Sequence, residues 1–252
     1  MASRRNWTDG EVTEALALYL RIPFGQFDKA NAQVKLLAAR IGRTPSAVAL
    51  KLSNLAALDE SIPQKGMANA SAADRRVWAS FMAEPTSVIH AFANQIHEAT
   101  ETSSRIGFSE QRRIAWEEQQ GVPKMRLTEQ RLGQAFFREI VLTSYHRKCA
   151  LTGIDDSRLL TASHIIGWKE DRKSRLNPSN GICLNALHDR AFDRHMITFD
   201  EDYRLVIAPD VPFNTRELLQ QNDVDRLNMP ERFLPDQAFL QHHRKRMEER
   251  LS

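Results

Sequence analysis

The sequence predicts an α+β fold: a helical, helix-turn-helix-like N-terminal domain, then a C-terminal domain built around two strands and a helix. Three observations predict it. Through residue 101, apolar side chains recur at three- and four-residue spacing behind Ser, Thr and Asn at helix-starting positions. Between residues 159 and 194, an apolar run, a polar loop, a second apolar run and a short helical stretch follow one another. Beyond these, Met196 to Phe199 and Arg204 to Ala208 read as a hairpin around Asp200-Glu201-Asp202-Tyr203, expected to extend the sheet. The expected domains are 1–101 and 128–252, joined by a polar, basic linker at 102–127.

Thr8 and Glu11 form a Thr-x-x-Glu capping box ahead of Val12, Ala15, Leu16, Tyr19 and Leu20, which sets the first helix. Pro23-Phe24-Gly25 breaks it. A second helix from Asn31 carries Val34, Leu37, Ala38 and Ile41, and Gly42 suits the left-handed residue after it. Thr44-Pro45 is an N-cap with proline at the first helical position, opening a third helix through Val48, Leu52 and Leu55. The pair joined by Gly42-Arg43-Thr44-Pro45 has helix-turn-helix form. In that form Ser46 and Lys51, with Asn54, lie on the outer face of the recognition helix. Arg43 stands near its start, where DNA phosphates or base edges would approach. The alternative is a three-helix scaffold whose outer face is merely solvated.

Two further helices are expected between residues 71 and 101. Ser71 caps the first, which carries Val77, Trp78 and Phe81; Pro85 separates it from one carrying Val88, Ile89, Phe92 and Ile96. His90 and His97 on the latter have no partner at metal-binding spacing. The linker holds Arg105, Arg112, Arg113, Trp116, Lys124 and Arg126, with its cations either solvated or tracking phosphate. A helix from Thr128 carries Leu132, Phe136, Phe137, Ile140 and Val141 into the C-terminal domain.

Composition sets limits. A chain of 252 residues with 42% hydrophobic content can build one large domain or two modest ones. No apolar run approaches the ~20 residues that a bilayer span requires. The N-terminus lacks the apolar stretch of a secretory signal, so a cytoplasmic protein without a membrane partner is expected. Cys149 and Cys183 are too few for a disulfide framework and suit small core residues in a reducing compartment. A net charge of +3 and a pI near 9.0 permit nucleic-acid binding without requiring it.

The chemistry gathers in three stretches. They are Ala162-Ser163-His164-Ile165-Ile166, Asn180-Gly181-Ile182-Cys183-Leu184, and Leu187-His188-Asp189-Arg190-Ala191-Phe192-Asp193. Phosphodiester hydrolysis requires a base to take a proton from water. It also requires charge stabilisation at the leaving oxygen and at the pentavalent transition state. An imidazole titrating near neutrality suits the first task. A lone strand histidine is usually a satisfied core residue. A histidine ending one strand, an asparagine opening the next and a histidine on the following helix form a far more specific pattern.

The stretch from about Cys149 to Ala208 resembles the HNH nuclease family, also called the ββα-metal or His-Me finger fold. The resemblance is to a bacterial subfamily with three signatures: Cys-x-x-Thr-Gly, a small residue before His-Ile, and Asn-Gly followed by Leu-His and Phe-Asp. It implies a C-terminal ββα-metal nuclease domain with one divalent ion, Mg²⁺ or Mn²⁺, per site. It implies His164 as general base, Asn180 as the residue orienting the base or its loop, and His188 as metal ligand. Asp193 would brace the helix end or join the metal. Many members place Asp or His directly before the base as a ligand; Ser163 stands there, so Asn180 through its amide oxygen is the expected second ligand. With no Cys-x-x-Cys pair, no structural zinc is expected.

The resemblance further implies cleavage of double-stranded DNA to 5′-phosphate and 3′-hydroxyl ends, in restriction or defence. One site cuts one strand, so a homodimer is expected. Two alternatives stand beside this: a DNA-binding regulator with a degenerate HNH fold, and an HNH effector nuclease acting on RNA or other nucleic acids. His195 lies close to the expected metal helix. His242 and His243, with Arg244, Lys245 and Arg246, read as a basic solvated face on a terminal helix.

Overall fold

The computed structural model describes residues 5–62, 69–102, 124–221 and 224–252, and of 96–102 and 124–129 the backbone alone. Most of the expected linker, with Trp116 and its basic residues, lies outside the described residues, as do the side chains of Ile96, His97 and Thr128. The chain forms two compact units, Met1–Glu60 with Gln64–Phe136 and Ser61–Pro63 with Phe137–Ser252.

In the first unit, α1 (Asp9–Tyr19) is capped reciprocally. Thr8 Oγ1 accepts from the Glu11 amide, and the Glu11 carboxylate accepts from the Thr8 amide. Asn31 caps α2 (Ala32–Arg40), and Gly42 after it has φ +64°, which glycine adopts without a Cβ clash. Thr44 caps α3 (Pro45–Ala56), and Ser71 with Asp74 forms a second capping box on α4 (Ala72–Ala83). A 3₁₀ turn at Pro85–Val88 leads into α5 (Ile89–Thr102). Helix α1 packs against each of the other four. Val12, Leu16 and Tyr19 on α1 are fully buried, with Val34, Val48, Leu52, Leu55 and Val88 around them.

The outer-face expectation for α3 is corrected. Lys51 turns inward, 4% exposed, with Nζ 2.6 Å from Asp74 Oδ1, and Asn54 is 7% exposed. The physical cause is the capping box of α4. It brings a wholly buried carboxylate against this face of α3, and that carboxylate demands a cation. Arg43 directs its guanidinium at Glu11 and at the carbonyls of Arg5 and Asn6. Of the three residues assigned to DNA, Ser46 alone is freely exposed.

In the second unit, α6 (Lys124–Ser144) contributes Phe137, Ile140 and Val141 to the core. Strand β1 (Leu160–His164) pairs antiparallel with β2 (Gly181–Asn185), with His164 opposite Gly181 and Leu160 opposite Asn185. Every residue of β2 is buried. Helix α7 (Ala186–Asp193) follows without a break, and Asn185 is its N-cap. Strands β3 (Ile197–Phe199) and β4 (Leu205–Ile207) form a separate two-stranded sheet. The hairpin therefore does not extend β1–β2. Helix α7 packs on β1, β2 and β3. Helices α8 (Phe213–Leu219) and α9 (Gln237–Leu251) complete the unit. No helix among the described residues is long and apolar enough to cross a membrane.

Gly181 has a packing role rather than a turn role. A 3₁₀ turn at Pro178–Asn180 supplies the reversal, and Gly181 is extended at φ −132°. A Cβ here would lie 2.4 Å from Val141 Cγ2 and 2.7 Å from Phe137 Cζ. Only a bare α-carbon lets β2 approach α6 this closely. Gly181→Ala is expected to lower stability by about 1–3 kcal/mol through overpacking, read as a shifted denaturation midpoint at unchanged slope.

Candidate functional site

His164 ends β1 half-buried, and its ring is fixed on three sides. It stacks on Phe137 at 3.8 Å between centroids and 11° between planes, and meets Trp168 edge-on at 5.5 Å. Nε2–H donates to the Arg175 carbonyl at 3.0 Å. That bond selects the tautomer whose lone pair is on Nδ1. Burial lowers the imidazole pKa below its ordinary 6.5, opposed by the Arg175 carbonyl, so the neutral ring is favoured.

Asn180 is completely buried and clamps the loop between the strands. Its Oδ1 accepts from the Ile166 amide at 2.8 Å, and Nδ2 donates to the carbonyls of Ile166 at 3.1 Å and Ser174 at 3.2 Å. Arg175, whose carbonyl orients His164, adjoins Ser174. Asn180 therefore bears on the His164 ring through the loop. The amide oxygen expected to bind a metal is buried and engaged by a backbone N–H.

His188 is buried as well. It is 1% exposed; Nε2–H donates to the Leu219 carbonyl at 3.0 Å and Nδ1 lies 3.0 Å from Asn185 Oδ1. Burial lowers its pKa, with the Leu219 carbonyl opposing. The Leu219 carbonyl accepts from Nε2–H, and Nδ1 faces Asn185 Oδ1, which already accepts from the His188 amide. The ring ties α7 to α8. The Cys-x-x-Thr signature supports the same cap, since Asn185 donates its amide to Cys149 Sγ and its Nδ2 to Thr152 Oγ1. Cys149 and Cys183 are free and buried, and burial pushes the Cys183 thiol up to about 12.

Helix α7 also carries two carboxylates, Asp189 and Asp193. Ser163 Oγ donates to Asp189 Oδ1 at 2.5 Å, joining the residue before His164 to α7. Asp193 stands one turn beyond, at the i+4 position that shares a helix face. Packing around its carboxyl group, followed by the like charge of Asp189, raises the Asp193 pKa. The sequence reading passed over Asp189 and gave Asp193 only a secondary place. Their four-residue spacing on a short helix was the available signal. The donor set fits a hard divalent cation: two oxygen ligands whose mutual repulsion a cation would relieve. Among the described residues no set of three or more His, Cys, Asp or Glu is gathered around one point. Mg²⁺ is commonly held by one or two carboxylates plus water and substrate phosphate, so a pair suffices.

His243 is not on a solvated face, contrary to expectation. It is 2% exposed and stacks on Phe192 at 3.8 Å. Nε2–H donates to the Phe192 carbonyl, and Nδ1 lies 2.9 Å from Thr198 Oγ1. Burial, then neighbouring His195, pushes its pKa down to about 3. His195, at φ +50°, contacts the same ring at 3.1 Å. These rings pack α9 beneath α7.

Residues 149–200 match the model of a family described as HNH endonuclease. No curated protein matches the chain.

Proposed function

We propose that this chain, whose residues 149–200 belong to the HNH endonuclease family, hydrolyses phosphodiester bonds of double-stranded DNA with His164 as general base. The posture of His164 carries the reading. Its Nε2–H is committed to a backbone carbonyl and its faces to Phe137 and Trp168, which leaves Nδ1 to take a proton from water. Its neutral form, the one that accepts a proton, is favoured by burial. Asn180 holds the loop that holds the ring, and Ser163 holds Asp189.

Asp189 and Asp193 would hold the divalent ion. When bound, such an ion neutralises phosphoryl charge and stabilises the leaving oxygen. Titration calorimetry with Mn²⁺ alone tests this assignment. Asp189→Asn and Asp193→Asn are each expected to weaken binding by more than about tenfold, the loss that even outer partners of a metal can cause. His188→Gln is expected to cost stability but not Mn²⁺ affinity at temperatures where it is folded. Unchanged affinity in both aspartate variants would remove them from the metal site.

Restriction or defence against foreign DNA is the setting this reading favours, and the family resemblance supports it. A homodimer follows from one base per chain and two strands per duplex. The decisive assay incubates the full chain with supercoiled plasmid and Mg²⁺ or Mn²⁺, beside RNA and single-stranded DNA. Nicked circles followed by linear product are expected. Intact plasmid under both metals would refute the DNA reading, and cleavage of RNA alone would transfer the chemistry to that substrate.

A further inference from the structure

We infer that a cleft in the first unit binds a single nucleotide of a nucleic-acid strand, phosphate against its cations and base toward Asn54. This rests on the reading of nucleic acid as the substrate. The cleft measures about 810 Å³. That volume far exceeds a lone phosphate and lies within the ~300–1,000 Å³ of sites that enclose small organic ligands. A duplex is itself wide enough for a protein helix to enter its ~12 Å major groove, so it does not fit inside such a cleft. A nucleotide must leave its stack to enter.

The lining favours an anion carrying a hydrogen-bonding base. Arg5, Arg43, Lys51 and Arg76 line it. Glu11, Asp74 and Asp9 pair with them, which leaves the cations in excess. The Arg43 guanidinium and Lys51 Nζ lie 4.7 and 4.8 Å from the Trp7 ring centroid, which holds both charges at the cleft wall. Thr44 and Ser71 open α3 and α4 at its margin, adding two positive helix ends.

Asn54 is the independent observation. It lines the cleft, is 7% exposed, and its Oδ1 has no hydrogen-bond partner among the described residues. Native proteins rarely leave a buried acceptor unpaired. A base N–H donor would satisfy it, and asparagine carboxamides pair readily with base edges, adenine above all. Arg43, Lys51 and Asn54, expected on an outward recognition surface, thus line a concave site, whereas Ser46 does not.

Anisotropy of labelled oligonucleotides on the full-length His164→Ala chain, in which cleavage is expected to be slowed, tests the inference. A single strand and a duplex with one unpaired nucleotide are expected to bind about tenfold tighter than a perfect duplex, because the cost of unstacking is already met. Asn54→Leu should erase that preference. Arg76→Glu, at an exposed position, should weaken all three by about tenfold and flatten the salt dependence. The site is refuted if the perfect duplex binds best, or if both variants bind like their parent. Plasmid cleavage by the His164 chain is scored separately. A chain that keeps these preferences but cannot cut retains the cleft and loses the nuclease reading. One that cuts without them loses the cleft alone.

Discussion

Alanine at position 164 is expected to slow phosphodiester cleavage by about 10²–10⁴-fold, the range supplied by a positioned general base. The substitution removes the Nδ1 lone pair and leaves β1, β2 and α7 intact. It also removes a ring stacked on Phe137 and a bond to the Arg175 carbonyl, so a base role must be separated from a packing role. His164→Phe makes the separation, because it keeps an aromatic face on Phe137 and has no basic nitrogen. Single-turnover cleavage at saturating metal should fall equally in both variants, while their melting curves differ. A His164→Phe chain that cuts like its parent would exclude His164 as the base.

Asn180→Ala is expected to cost about 3 kcal/mol or more, because each buried group left without a partner costs about 1–3 kcal/mol. The Ile166 amide and the carbonyls of Ile166 and Ser174 lose their partner together, around a side chain that is itself fully buried. Activity should fall as well, through the Arg175 carbonyl and the ring it orients. Denaturant unfolding measures the first effect and Mn²⁺ titration of the folded variant discriminates its cause. Affinity should be that of the parent. Unchanged stability with lost affinity would make Asn180 a ligand.

The order of elements was legible in the sequence because local signals agreed. Thr8, Asn31, Thr44 and Ser71 cap helices at the expected places, each accepting first-turn amides that would otherwise lack partners. What sequence spacing could not convey was burial. Lys51 reads as a surface cation until Asp74, twenty-three residues away, is found against it. His188 gives no sign in the sequence that the Leu219 carbonyl stands at its Nε2. Those partners arrive through tertiary packing, which no short window contains. Gly181 is similar: beside Asn180 it suggests a turn, whereas α6 passing within van der Waals distance is the actual constraint. Asp189 and Asp193 were visible at helical spacing, but a neighbouring imidazole is the more familiar ligand and drew the assignment.

The tie from His188 to Leu219 and that from His243 to Phe192 fix how small a working fragment can be. The family match ends at residue 200, yet the carboxylate-bearing helix leans on two later segments of chain. A gene shortened to the matched stretch would encode stranded imidazoles and an unbuttressed scaffold. Excision for engineering, or transfer into a fusion enzyme, must therefore keep everything through the last helix.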